Sequence, residues 1–76
     1  MIRRERFINK LRELGFSYNS QGDRAVLYKK PGRPGYATVL RRDYLGEDFV
    51  RAQLRLVGCP PDDIERFIRQ NGERTH

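Results

Sequence analysis

The sequence predicts an α+β fold in two layers: an antiparallel three-stranded sheet with helices over one face, in the order helix, three strands, helix, short helix. Three observations carry this. Apolar residues recur at helical spacing near both ends of the chain, at Phe7, Leu11 and Leu14 and again at Phe49, Val50, Leu54 and Val57. Between them, apolar and polar residues alternate in short runs separated by glycine and proline, the pattern of strands and turns. Three antiparallel strands expose one face and need cover on the other, which the flanking helices supply.

The first helix is expected over 3–14, with Phe7, Leu11 and Leu14 inward and Ile8 on the margin. Gly15 is a suitable stop, and Phe16 can pack back on Leu11 in a Schellman-type end. Arg3, Arg6 and Lys10 share one edge of this helix, either contacting phosphate or forming a solvated face in which Lys10 and Glu13 compensate. Residues 16–20 read as a half-buried strand, and Gln21-Gly22-Asp23 as the turn to a second strand over 24–30. Either face of that second strand could point inward. We expect Ala25 and Leu27 inside, because this leaves Arg24 and Lys30 wet and turns Tyr28 outward, where its ring could stack on a base. Ordinary half-burial of Tyr28 is the alternative.

Pro31-Gly32-Arg33-Pro34-Gly35 is turn chemistry, because proline pre-sets φ and glycine accepts positive φ. The third strand follows over 36–41, and Arg41-Arg42-Asp43 leads out of it. The second helix is expected over 47–57, with Glu47–Arg51 as a surface pair. Gln53 falls inside its apolar face and needs a hydrogen-bond partner if buried. Cys59-Pro60-Pro61 turns a corner into a short helix over 62–70, with Asp62 and Glu65 at capping-box spacing and Ile64, Phe67 and Ile68 inward. Residues 72–76 form a tail expected to fray, and His76 within it is incidental.

Seventy-six residues make one domain, 1–76, with a small core. Sixteen Lys and Arg against ten Asp and Glu give a net charge of +6. On so small a body, that potential attracts nucleic acid, an anionic membrane or an acidic protein, unless it serves solubility alone. No apolar run is long enough for a membrane span, and the N-terminal residues lack the apolar core of a signal peptide, so we expect a cytoplasmic protein. The single cysteine, Cys59, has no partner for an internal disulfide and no nearby base, so it reads as a packing residue. The spacing of Cys, His and acidic residues matches no metal site, and no cofactor is expected. In the stretch from Gly22 to Arg42 cations sit at the strand ends and at the turn: Arg24, Lys29, Lys30, Arg33, Arg41 and Arg42 lie beside Tyr28 and Tyr36. Guanidinium groups bind phosphate bidentately and stack on bases. These six cations and Tyr28, with Arg3, Arg6 and Lys10, are the candidate RNA-binding residues.

The chain resembles the HicA-like (YcfA-like) toxins. The resemblance rests on the opening helix with Leu11-Arg12-Glu13-Leu14-Gly15-Phe16, on Gly22 before the second strand, and on Tyr28 followed by a Pro-Gly turn. It rests further on Ala37-Thr38-Val39 and on Val50–Gly58, with an acidic short helix after them. It implies a double-stranded-RNA-binding-domain-like α-β-β-β-α fold, ribosome-independent cleavage of mRNA, and a HicB-like antitoxin as partner. Family members carry a catalytic histidine in a Gly-Ser-His segment entering strand two. Here that segment is Gly22-Asp23-Arg24-Ala25, and the histidine position falls on Arg24 or Ala25. Arginine does not readily release a proton, but it can stabilise a negative transition state. Three readings follow: an RNA-cleaving toxin with a rearranged site, a nuclease-inactive RNA-binding module, or an interaction module that docks an acidic partner.

Overall fold

The computed structural model describes residues 1–73. The elements run β1 (Ile2–Arg3), α1 (Arg4–Glu13), β2 (Ser17–Gln21), β3 (Ala25–Lys29), β4 (Ala37–Leu40), β5 (Tyr44–Leu45), α2 (Glu47–Leu56) and α3 (Pro61–Asn71). Strands β2, β3 and β4 form the antiparallel sheet in that order, and β1 pairs with β5 in a separate two-stranded ladder. The expected α+β architecture of three helices and a three-stranded sheet is therefore present. The small ladder is additional, and it takes Arg3 off the first helix, where the sequence had placed it.

Both longer loops out of helices obey the same backbone rule. Gly15 has φ +93°. The Gly15 amide donates to Arg12 O and the Phe16 amide to Leu11 O, the paired bonds of a Schellman end. Gly58, at φ +84°, repeats this after α2, where Gly58 donates to Arg55 O and Cys59 to Leu54 O. These reversals seat Phe16 and Cys59 in the core. The start of α1 has no side-chain cap; instead the Arg4 amide donates to Asp43 O at 2.9 Å, so the loop after β4 caps the helix.

The core joins Ile2, Phe7, Leu11, Phe16, Val26, Tyr28, Ala37, Val39, Leu45, Val50, Leu54, Ile64 and their neighbours into one cluster. Strand β3 faces it with the parity opposite to expectation. Val26 and Tyr28 are buried, whereas Ala25 and Leu27 are half-buried on the other face. The partner strand explains the choice. Tyr28 lies opposite Ala37 and Val26 opposite Val39. Ala37, fully buried, leaves room for the neighbouring ring. Arg24 and Lys30 share this inward parity but sit just beyond the strand ends, so they stay exposed.

The sheet's two edges differ. At β4 the Thr38 amide, pointing away from β3, donates to Gln53 Oε1 at 2.9 Å, and Arg4 Nε donates to Leu40 O at 2.9 Å. The partner that Gln53 required is thus an edge backbone group, and two side chains close that edge. At β2 the edge is open, with a bulge between Tyr18 and Ser20.

Helix α3 begins at Pro61 with Pro60 as N-cap and no side-chain cap, so the expected Asp62/Glu65 capping box does not form. Glu65 instead accepts a two-pronged bond from Arg51, at 2.8 and 3.1 Å, fastening α3 to α2. Arg51 also bonds Asp48, not the expected Glu47. The Arg51 guanidinium holds the Glu65 carboxyl below the usual carboxylate range. At the chain end, Gly72 bridges Ile2, and Glu73 and Met1 exchange bonds of 2.6 and 2.9 Å. Residues 72 and 73 are therefore tied down rather than frayed. The rest of the expected tail, including His76, lies outside the described residues.

Candidate nucleic-acid interface

Nine of the ten residues singled out from the sequence fall into three places, and the tenth, Tyr28, is in the core. The first is the end of the sheet where β3 begins and β4 ends. Arg24, Arg41 and Arg42, with Asp23 and Leu40, line one open depression there. Arg24 and Arg41 lie directly across from each other, one step beyond the Ala25–Leu40 pair, and the Arg41 amide donates to Arg24 O at 3.2 Å. Like charges placed opposite in adjacent strands repel. Among the ion pairs of the described residues, none includes Arg24, Arg41 or Arg42. The Asp43 backbone carbonyl accepts from the Arg4 amide that opens α1, and its carboxylate is in none of these ion pairs.

The second place is the opposite end of β3, about 17 Å away at ~3.3 Å per residue. Lys29 extends over the Tyr36 ring, 5.3 Å from its centroid. Lys30 lies across Gly15, where an added Cβ would come within 3.1 Å of its chain, so the glycine provides clearance as well as a turn. Arg33 folds back over Gly58 and donates to Leu56 O at 3.1 Å, satisfying a carbonyl at the end of α2. Arg33 is thus engaged in the fold.

The third place is the α1 side. Arg3 pairs with Glu73 at 2.9 Å and lies over Tyr44, and its guanidinium pKa is raised chiefly by the hydrogen bond to Glu73. Lys10 is largely covered: it pairs with Glu13 at 3.7 Å and sits 6.0 Å from the Phe67 ring centroid. Arg6 is exposed beside Gln70 and Asn71. The shared edge expected for Arg3, Arg6 and Lys10 therefore dissolves into two engaged side chains and one exposed arginine.

Tyr28, expected to face outward, is only 5% exposed. The exposed rings are Tyr18 at 57% and Tyr36 at 45%. Tyr18 packs edge-on against Tyr28, with centroids 6.4 Å apart. Sequence reasoning missed Tyr18 because its strand alternates without showing that the helices stop short of it. It also missed Arg4, which reads as one more charge on a helix but reaches Leu40 at the rim of the arginine depression.

Chemically, the arginine corner offers guanidinium donors to an anion. Three arginines and Asp23 line it, none of the arginines is in an ion pair among the described residues, and a phosphate placed there would accept bidentate guanidinium bonds. Its described side chains offer no imidazole. Cys59 is buried among core side chains, and burial pushes its thiol pKa up, which suits packing rather than nucleophilic chemistry. Among the described residues no His, Cys, Asp and Glu cluster could hold a metal ion, and no helix is long and apolar enough to cross a membrane. No family model matches the chain, and no curated protein or solved structure matches it.

Proposed function

We propose that this chain is an RNA-binding protein of the cytoplasm that grips phosphate through Arg24, Arg41 and Arg42. The observation that carries the reading is that these three arginines line one depression, beside Asp23 but in none of the ion pairs among the described residues, while Arg3, Lys10 and Arg33 are engaged elsewhere. Lys29 and Tyr36, at the far end of β3 and on the opposite face parity from Arg24, form a separate patch that pairs a cation with an exposed ring. Stacking on such rings and phosphate contacts to such cations suit single-stranded RNA.

Binding is proposed rather than cleavage, because the position where HicA-like toxins carry histidine is here an arginine at the mouth of the depression or an alanine inside β3. Arginine can hold the phosphate but is a poor general base near neutral pH. The motif resemblance makes mRNA the RNA class to try first and a HicB-like antitoxin the protein partner to try first. The test is a salt series of binding to a labelled single-stranded RNA. With three phosphate contacts, log affinity should fall against log salt with a slope of about −2. A flat salt response, or binding unchanged in the Arg24→Gln/Arg41→Gln double variant, refutes the reading. Cutting of naked RNA that Arg24→Ala abolishes would replace it with the nuclease reading.

A further inference from the structure

Where the turn after β3 meets the end of α2 lies a hollow that shares no residue with the arginine corner. Phe16 and Val57, both buried, form its floor, and Tyr36 and Leu56 stand on its rim. Leu56, at 64%, is the most exposed large apolar side chain among the described residues. The hollow measures about 120 Å³. An apolar cavity of about 150 Å³ holds benzene, so there is room here for one ring. Arg33 is the one charged residue in the lining, and it is held in place. Its Nη2 donates to Leu56 O at 3.1 Å, and its guanidinium lies over Gly58. A guanidinium carries several N–H donors, and this bond uses one of them.

The surroundings are cationic. Residues 14–22, 24–42 and 49–61 contain no Asp or Glu, and every residue lining the hollow comes from one of these stretches. Lys30 Nζ lies beside Gly15, next to Phe16, and Lys29 Nζ lies 5.3 Å from the Tyr36 ring centroid. Among the described residues, no ion pair includes Lys29, Lys30 or Arg33.

We propose that this hollow receives one unpaired base of the RNA, with the base against Tyr36 and Leu56 and its flanking phosphates at Lys29 and Lys30. The proposal rests on the RNA-binding reading and adds to it a slot that selects single strands. A base inside a duplex is stacked and paired and cannot enter. Bases stack on aromatic rings and on guanidinium planes, and phosphates seek cations, so one nucleotide answers the ring, Arg33 and the lysines together. An acidic peptide answers the lysines but brings no flat face to Tyr36 and Arg33.

The experiment compares two labelled strands of about ten nucleotides by fluorescence anisotropy. One is oligouridylate, and the other is an abasic strand of equal length that keeps the phosphates. The wild-type chain should bind the uridylate at least about fivefold more tightly. Tyr36→Ala and Leu56→Ser, both at exposed positions, should each bring that ratio toward one. Their circular dichroism and their slope of log affinity against log salt should stay as in wild type, because the phosphate contacts remain. Arg24→Gln/Arg41→Gln should do the reverse, lowering the slope and keeping the ratio. Salt-dependent RNA binding with a wild-type ratio near one, or with the wild-type ratio kept in Tyr36→Ala and Leu56→Ser, overturns the slot and leaves the arginine corner standing. A chain that binds neither strand overturns both. Polyglutamate that binds wild type but neither variant assigns the hollow to an acidic protein and overturns the slot as well.

Discussion

Replacing Arg24 with glutamine should make the protein more stable and a worse ligand for RNA. Arg24 and Arg41 stand opposite each other at the end of the β3–β4 ladder, with Arg42 next in the chain. A directly opposed like-charge pair on an exposed sheet is worth a few tenths to about 1 kcal/mol of destabilisation. Taking about 0.5 kcal/mol and a domain of this size, Arg24→Gln should raise Tm by roughly 2–4 °C at low salt. The gain should vanish in 1 M salt, where the screening length falls to about 3 Å. In the same variant the slope of log RNA affinity against log salt should shrink by about 0.7, one phosphate contact on a single strand. Thermal melts at two salt concentrations and fluorescence anisotropy at four measure both quantities. A variant that loses stability shows that Arg24 is a structural partner. One that keeps its affinity shows that the corner does not hold phosphate.

Three further outcomes follow from the packing. Tyr28→Ala should cost about 3–5 kcal/mol as an aromatic truncation in the core, against a total of roughly 4–11 kcal/mol for a chain this long, so it should be largely unfolded by circular dichroism while Tyr28→Phe stays folded. A folded Tyr28→Ala would place the ring outside the core after all. Gln53→Leu removes the acceptor of the Thr38 amide and should lower Tm by about 4–8 °C, the equivalent of ~1 kcal/mol; an unchanged Tm means the β4 edge is satisfied by water alone. Glu65 has its pKa depressed in the folded state by Arg51, so its contribution is present above the ordinary value of 4.5 and is lost as pH falls through the depressed one. Arg51→Gln should flatten the pH dependence of stability in that acid window, and equal slopes for the variant and wild type would contradict the pairing.

The helices and strands were legible because their evidence is local. Phe7 and Leu11, Val50 and Leu54, and Ile64 and Phe67 repeat at helical spacing and do line the core. Gly15 and Gly58 end their helices with the positive φ that their lack of a side chain permits. What failed depended on partners distant in the chain. The two-residue strands β1 and β5 carry no readable period, and they exist because Ile2 and Leu45 meet across 43 residues of chain. The Asp62/Glu65 capping box had the right spacing, but Glu65 is drawn to Arg51 on another helix.

The candidate site divides along the same line. Sequence alone determined that the chain is strongly cationic, that six of its sixteen cations lie between Gly22 and Arg42, and that no imidazole occupies that stretch. Only the tertiary structure decided which cations are at liberty. It spent Arg3 on Glu73, Lys10 on Glu13 and Arg33 on a helix end, turned Tyr28 inward against Ala37, and left Arg24, Arg41 and Arg42 together. The physical reason is that charge and periodicity belong to the residue and its near neighbours. The inward face of a strand and the partner of a long cation are chosen by whatever the fold brings alongside.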